Sequence, residues 1–263
     1  MVLNETMRFS VIASGSGGNA CYVETDHSRV MIDAGLSCRE LLRRLEHIGV
    51  DGSRLDALFI THEHADHIRG AGPLARRFDI PLFATASTLK KASKTLGNLS
   101  RPVVIQTGQT LTINDLFIET FTKCHDAADP IGVVMAYNGT RLGLLTDVGR
   151  PTALVMDRLQ GCHGLIIEFN HDEQMLEEGP YPLELKRRIR GADGHLSNHQ
   201  AGEVLEGLLH DELKLVVLAH MSDSNNQPHK AVEQANHTLK KNGRKGIKVL
   251  VSYQDQPLPM EEL

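Results

Sequence analysis

Directly after the apolar run Leu58-Phe59-Ile60 the chain reads Thr61-His62-Glu63-His64-Ala65-Asp66-His67, which puts three imidazoles and a carboxylate within six positions. A short apolar run reads as a buried strand, so the fold must deliver this cluster to the end of a sheet. Neutral imidazole and ionised carboxylate are the usual non-thiolate ligands of zinc and its first-row neighbours. His62 and His64, alternating at a strand end, are expected to point to one side. A turn then brings Asp66 and His67 round to a second point, so one segment seeds two adjacent metal positions. The alternative, histidines that merely line a polar loop, leaves their density unexplained.

Four more ligand-type residues stand at the ends of apolar runs. Asp33 follows Val30-Met31-Ile32, and His125 comes shortly after Thr120-Phe121-Thr122. Asp147 sits in Leu144-Leu145-Thr146-Asp147-Val148-Gly149, and His220 closes Leu215-Val216-Val217-Leu218-Ala219. With the His-x-His-x-Asp-His pattern, their order resembles the metallo-β-lactamase fold superfamily from about residue 7 to about residue 250. The resemblance implies an α/β fold, the four-layer αβ/βα sandwich, as a single domain over residues 1–263. It implies that His62, His64 and His125 hold one divalent ion and that Asp66, His67 and His220 hold a second, with Asp147 bridging. Two ions about 3.5–4 Å apart can share a hydroxide nucleophile and clamp the attacking and leaving oxygens. Asp66 would also orient that nucleophile. Asp33 would accept a hydrogen bond from a ligand imidazole; as a residue before Ala34-Gly35 it also reads as a plain turn former. All-nitrogen-and-oxygen sites accept zinc, manganese or iron according to supply.

Ligand identity narrows the chemistry. Flavin-linked iron relatives carry a carboxylate where His64 stands, and lactam-cleaving members commonly carry Cys at the position of Asp147. The segment Gly194-His195-Leu196-Ser197-Asn198-His199 resembles the nucleases of the superfamily, in which such a histidine faces the scissile phosphate. His195 is therefore the candidate acid for the leaving oxygen, its alternative being a loop histidine satisfied by backbone. Glu168-Phe169-Asn170-His171-Asp172, Lys186-Arg187-Arg188-Ile189-Arg190, Leu218-Ala219-His220-Met221-Ser222 and Asp223-Ser224-Asn225-Asn226 resemble the YycJ/WalJ-type branch. That implies a metal-dependent phosphodiesterase, a 5′-to-3′ DNA exonuclease with nucleic acid, DNA favoured, as its partner. His171, Ser197, Asn198, Arg187 and Arg188 are the candidate substrate contacts; for the arginines a solvated helix face is the alternative. A small-molecule hydrolase acting on a thioester or cyclic nucleotide is the rival activity, separable by its weaker salt dependence. A non-catalytic adaptor would be expected to have lost ligands, and none is missing.

Composition sets the outer bounds. The 263 residues are 41% hydrophobic and 23% charged, without tryptophan and with 4% aromatics, so the core rests on Leu, Ile and Val. A formal charge of −5 excludes a generally basic surface but not local basic patches. Cys21, Cys38, Cys124 and Cys162 form no C-x-x-C pair, which suits reduced thiols. Cys124, beside His125, is expected to turn away and be buried. Residues 1–7 lack the pattern of a signal peptide, and no apolar run approaches the ~20 residues that span a bilayer. The reading is a cytoplasmic protein with no membrane association; oligomeric state stays open.

Along the chain, strands are expected at 7–13, 21–24, 30–32 and 56–60. Ser14-Gly15-Ser16-Gly17-Gly18-Asn19 reads as a tight connection, since no P-loop lysine follows. Ser37-x-x-Glu40 has capping-box spacing ahead of a helix, and further helices are expected at 68–78 and 85–96. Strands follow at 103–106, 110–113 and 116–121, then at 131–137 and 140–146 about Asn138-Gly139, a type I′ hairpin signal. Helices and strands alternate thereafter: helices at 151–159, 182–190, 198–210 and 228–241, strands at 164–169, 214–219 and 247–251. Residues 257–263 read as a frayed tail.

Overall fold

The computed structural model describes residues 6–263. Residues 1–5, part of the segment read above for a leader, lie outside the described residues. Strands β1 (Arg8–Ala13), β2 (Ala20–Glu24), β3 (Arg29–Ile32), β4 (Ala57–Phe59), β5 (Leu82–Thr85) and β6 (Pro102–Ile105) build the first sheet. β7 (Thr110–Ile113), β8 (Leu116–Thr122), β9 (Ile131–Tyr137), β10 (Thr140–Leu145), β11 (Gly164–Glu168), β12 (Leu215–Ala219) and β13 (Lys248–Val251) build the second. A last strand, β14 (Glu261–Glu262), returns to the first sheet, whose order is β14-β1-β2-β3-β4-β5-β6; the second runs β13-β12-β11-β10-β9-β8-β7. Each sheet is antiparallel in one half and parallel in the other.

The inner parallel strands β4, β11 and β12 are buried on both faces, so they read as continuous apolar runs. Phe9, Val11, Phe59, Val133, Leu144, Ile166 and Val217 meet between the sheets. Helices α1 (Cys38–His47), α2 (Ala65–Ile68), α3 (Ala71–Phe78) and α4 (Ala86–Leu96) lie in the first half of the chain. Leu41 and Leu45 of α1, Leu74 of α3 and Leu96 of α4 cover the outer face of the first sheet. The second half carries α5 (Ala153–Leu159), α6 (Glu173–Glu178), α7 (Leu183–Arg190), α8 (Asn198–Gly207) and α9 (Pro228–Lys241). Val155, Val204, Leu205, Ala231 and Leu239 pack α5, α8 and α9 on the second sheet. Helix, sheet, sheet and helix form the expected four layers. Among the described residues no helix is long and apolar enough to cross a membrane.

Local chemistry explains most boundaries. Asn138 (φ 46°) and Gly139 (φ 81°) make the two-residue hairpin, with Tyr137 opposite Thr140. Ser37 caps α1 by accepting from Glu40 N at 3.3 Å, but Glu40 closes no box because its carboxylate pairs with Arg43 and Arg44. The full capping box is instead at α8, where Ser197 and Gln200 exchange bonds.

Between the expected helices at 68–78 and 85–96 lies β5, a parallel strand that ends where Thr85 caps α4. One expectation is corrected. The tail at 257–263 is not frayed. Leu258 N donates to Val11 O at 2.9 Å, Leu263 N donates to Met7 O at 3.0 Å, and Leu258 and Leu263 enter the core between the sheets.

Candidate metal centre

The ligand-type residues converge where strands of both sheets end. β4 stops at Phe59, so His62 and His64 sit on the loop beyond it rather than on the strand, and His64 is the N-cap residue of α2. Asp66 and His67 follow in the first turn of that helix. Asp33, Asp147 and His220 stand just past the ends of β3, β10 and β12, each in left-handed backbone with φ of 61°, 55° and 53°. Non-glycine residues rarely adopt that region, and it gathers at functional sites when the surroundings enforce it. Gly35 is part of that enforcement: a Cβ there would lie 1.6 Å from Asp66 O. Its absence lets Asn19 N reach Asp66 O at 2.7 Å while Gly35 N reaches Asn19 O at 2.8 Å.

The side chains fall into two neighbouring groups. One comprises His62, His64 and His125, the other Asp66, His67, Asp147 and His220; within each, the potential ligand atoms lie within 4.8 Å of one another. Asp147 Oδ1 stands 3.4 Å from His220 Nε2 and 3.9 Å from His125 Nε2, between the groups. His62, His67, Asp147 and His220 are buried, and His62 Nε2, His220 Nε2 and Asp147 Oδ2 have no hydrogen-bond partner. Buried polar atoms without partners are costly, and imidazole nitrogens with carboxylate oxygens are a donor set that divalent zinc, manganese or iron accepts. The residues fit metal ions.

The far nitrogens of the rings are tied down, which fixes tautomers. His67 Nδ1 meets Asp33 Oδ2 at 2.7 Å. His62 Nδ1 meets Thr61 Oγ1 at 2.9 Å, and that hydroxyl donates to Asp33 Oδ2 at 2.8 Å. One carboxylate thus orients two imidazoles. His125 Nδ1 faces Gly194 O at 3.3 Å. In each case Nε2 is left to face the centre, the arrangement seen in metal-binding histidines.

Glu168 performs the same service from the second sheet, and it was missed as a site residue. It is fully buried; Oε2 accepts from Asp147 N at 2.8 Å, meets His220 Nδ1 at 2.8 Å and His195 Nδ1 at 3.0 Å, while Oε1 accepts from Leu196 N at 2.8 Å. Asp147, Glu168, His195 and His220 form a third close group. Because Glu168 already engages both rings through Nδ1, that group is a hydrogen-bonded support rather than another ion site. Also missed were Ser14, whose Oγ accepts from His220 N at 2.7 Å, and Asn19, whose Nδ2 donates to Asp66 Oδ2 at 3.1 Å. The glycine-rich connection is therefore a brace for the site. Lys123 is buried beneath it and donates from Nζ to Thr146 O at 2.6 Å.

Without ions, the charges compensate each other. Burial opposes the charged form of His220, but Asp147, Asp66 and Glu168 outweigh it and raise its pKa to about 10. Burial likewise opposes charge on His67, and Asp147 and Asp33 raise it well above the usual range. Burial works against the carboxylates too, yet His195 and His220 hold Glu168, and His220 and His67 hold Asp66, well below the ordinary values. His62 and His125 are pushed the other way, chiefly by burial, His125 to about 4.

The expected substrate residues divide. His195 lines the cleft of about 230 Å³ over the centre together with Arg188. Arg188 Nε donates to Asp126 Oδ2 at 2.5 Å, and Arg187 is exposed. His171, Ser197 and Asn198 do not line that cleft. His171 is buried, and burial pushes its pKa down to about 4. Ser197 caps α8 and donates to Glu173 at 3.0 Å, and Asn198 exchanges amide bonds with Asn226 at 2.9 Å. These three hold the loops behind the site. Cys124 is half-buried rather than buried, with Arg150 Nη2 3.8 Å from its sulfur.

Residues 28–221 match the beta-lactamase superfamily domain. The chain belongs to that superfamily. Within it, the chain is 34% identical over 239 residues to exodeoxyribonuclease YycJ of Bacillus anthracis, covering 90% of each chain. It is 37% identical over 223 residues to exodeoxyribonuclease WalJ of Streptococcus pneumoniae, covering 83% of each. This superfamily member is thus YycJ/WalJ-like. The metallo-β-lactamase fold protein YhfI of Bacillus subtilis superposes with a TM-score of 0.72 at 16% identity, over 96% of this chain and 99% of that one, which supports the fold alone.

Proposed function

We propose that this superfamily member is a metal-dependent phosphodiesterase that degrades DNA from an end, in the 5′-to-3′ direction. The observation that carries the reading is the convergence of seven ligand-type side chains, five of which line one cleft together with His195. The ring centroids of His125 and His220 lie 5.3 and 5.2 Å from that of His195. The relatives named exodeoxyribonucleases add the substrate class.

In this reading His62, His64 and His125 would hold one divalent ion and Asp66, His67, Asp147 and His220 a second. Zinc and manganese are the favoured identities. Bound ions there supply charge neutralisation and water made acidic enough to attack near neutral pH. Asp66 orients the attacking water. Glu168 fixes the His195 ring through Nδ1, so that Nε2 delivers a proton to the leaving oxygen. Asp33 and Glu168 keep the ligand rings in register from opposite sheets. The free thiols are in keeping with a reducing compartment, the cytoplasm.

The test is purified protein loaded with zinc or manganese, offered 5′- or 3′-labelled single- and double-stranded DNA and RNA, with bis-p-nitrophenyl phosphate as control. Mononucleotide release from the 5′ end of DNA is expected. His195→Ala should retain both ions and lose about 10²–10⁴-fold in kcat on DNA, less on the activated ester. Asp66→Ala should abolish turnover on both. An enzyme indifferent to DNA and to salt, but active on a thioester or cyclic nucleotide, would overturn the reading.

A further inference from the structure

The cleft over the metal centre has two unlike walls. Its floor is ionic: Asp66, His125, Asp147, His195 and His220 line it. Its roof is Tyr181, Leu185 and Ile189, at the entry to α7 and along it. Leu185 and Ile189, four positions apart, share one face of α7, and Tyr181, just before its N-cap Pro182, lines the same cleft. That face is only half-buried, and α7 has no buried residue at all. α7 is tied down at its edges instead, by Arg188 to Asp126, Arg190 to Glu177 and His195 N to Ile189 O. Its apolar face is therefore not consumed by packing. It shares the cleft with the ionic side chains of the floor.

A ligand that satisfies both walls must be anionic at one end and flat and apolar at the other. Resting on the reading above as a DNA exonuclease, we propose that Tyr181, with Leu185 and Ile189 beside it, is the platform on which the base of the 5′-terminal nucleotide stacks while its phosphodiester reaches the metal centre. The occupant is an unpaired base. A cleft of about 230 Å³ lies below the ~300–1,000 Å³ of sites that enclose whole drug-sized ligands. That is the scale of a single nucleotide unit. An aromatic face also serves any base, because every base has a π-face. The amide in the cleft, Asn170, donates to His220 O at 2.9 Å and is engaged by the protein itself. The platform thus selects for an unpaired end without reading its sequence.

Replacing a stacking aromatic by alanine loses roughly 1–3 kcal/mol per base, about 5- to 150-fold in affinity or kcat/KM. The experiment uses the full chain loaded with manganese and two 5′-phosphorylated single-stranded oligonucleotides. One carries thymine at its first nucleotide; the other carries a tetrahydrofuran abasic analogue there. The wild type should prefer the thymine end by about 5- to 150-fold. Tyr181→Ala should lose that preference, falling to the abasic rate on thymine ends and changing little on abasic ends, whereas Tyr181→Phe should keep it. Binding by fluorescence anisotropy on the slow His195→Ala background should show the same contrast, independently of turnover. Equal losses on both oligonucleotides in Tyr181→Ala would make the residue a prop for α7 and overturn the platform. A wild type that degrades both ends at one rate would overturn it too, leaving the nuclease reading intact. A protein that cleaves bis-p-nitrophenyl phosphate but neither oligonucleotide would overturn the DNA reading and the platform together.

Discussion

Glu168→Gln is the substitution that most directly tests how the second sheet supports the centre. It is nearly isosteric, so it removes charge and one acceptor without opening a cavity. Glu168 receives four N–H groups, from Asp147, Leu196, His195 and His220. A glutamine offers one acceptor oxygen and turns a donor amide to the other side. With its oxygen toward Leu196, three N–H groups face the amide; with its oxygen toward the histidines, only Leu196 N is stranded, so the second orientation wins. One stranded buried donor costs about 1–3 kcal/mol. Three charge-assisted bonds that become neutral each lose roughly half their strength, together about another 1.5–3 kcal/mol. Relief of repulsion between Glu168 and Asp147 offsets part of this. The expected loss is roughly 2–5 kcal/mol in the metal-free protein at pH 7, read by urea denaturation. Because His220 Nδ1 then faces a neutral amide oxygen in place of a carboxylate, the ring becomes a less basic and less firmly held ligand, and ion affinity should fall about 10- to 100-fold, read by titration against a competing chelator. Wild-type ion affinity in a Glu168→Gln protein of unchanged stability would refute the idea that this carboxylate orients the ligands.

Three further outcomes follow from the same structure. In the metal-free protein, carboxylates whose pKa is depressed on folding, Glu168 and Asp66, stabilise above the unfolded value near 4.3 and lose that contribution as pH falls. His220, raised to about 10, stabilises fully below about 6.5 and loses its contribution as pH rises toward 10. His125 and His171, held down to about 4 on folding, cost stability below about 6.5. Metal-free stability should therefore peak near pH 6.5 and decline on both sides; a thermal-melt series in EDTA that climbs steadily from pH 6 to pH 9 would contradict this. Arg187→Ala should weaken DNA binding without sequence preference and flatten the log–log salt slope by about one unit, and an unaltered slope would make it a solvated side chain. Deleting residues 257–263 should lower the melting temperature by several degrees, since it uncovers the edge of β1 and removes Leu258 and Leu263 from the core.

The candidate metal ligands were legible because chemistry and position coincide: ligand-type residues crowd residues 62–67 and recur at the ends of apolar runs. Glu168 also ends such a run, but one glutamate after Leu165-Ile166-Ile167 looks like any strand end until the sheet places it beside Asp147 and His220. Lys123 reads as a solvated residue, and only the fold buries it. Ser197 and Asn198 have side chains suited to phosphate, yet orientation decides their use, and the N-terminus of α8 turns them inward. The tail misled for a related reason. Its pairing partner, β1, lies at the other end of the chain, and no local pattern in residues 257–263 announces a contact that distant.

The order in which the ligands occur along the chain has a consequence for how the protein matures. His62, His64, Asp66 and His67 leave the ribosome together, long before Asp147 and His220 exist. That local cluster can take an ion while the chain is still unfolded, and any such binding subtracts from the stabilisation the ion later gives the native state. The other half of the site waits for β10 and β12, hence for long-range pairing in the second sheet, the slow part of folding a mixed fold. On the ligand assignment proposed above, loading would be staged: an ion present when residues 62–67 emerge would have the first claim on the centre, and the pool met after folding would fill the rest.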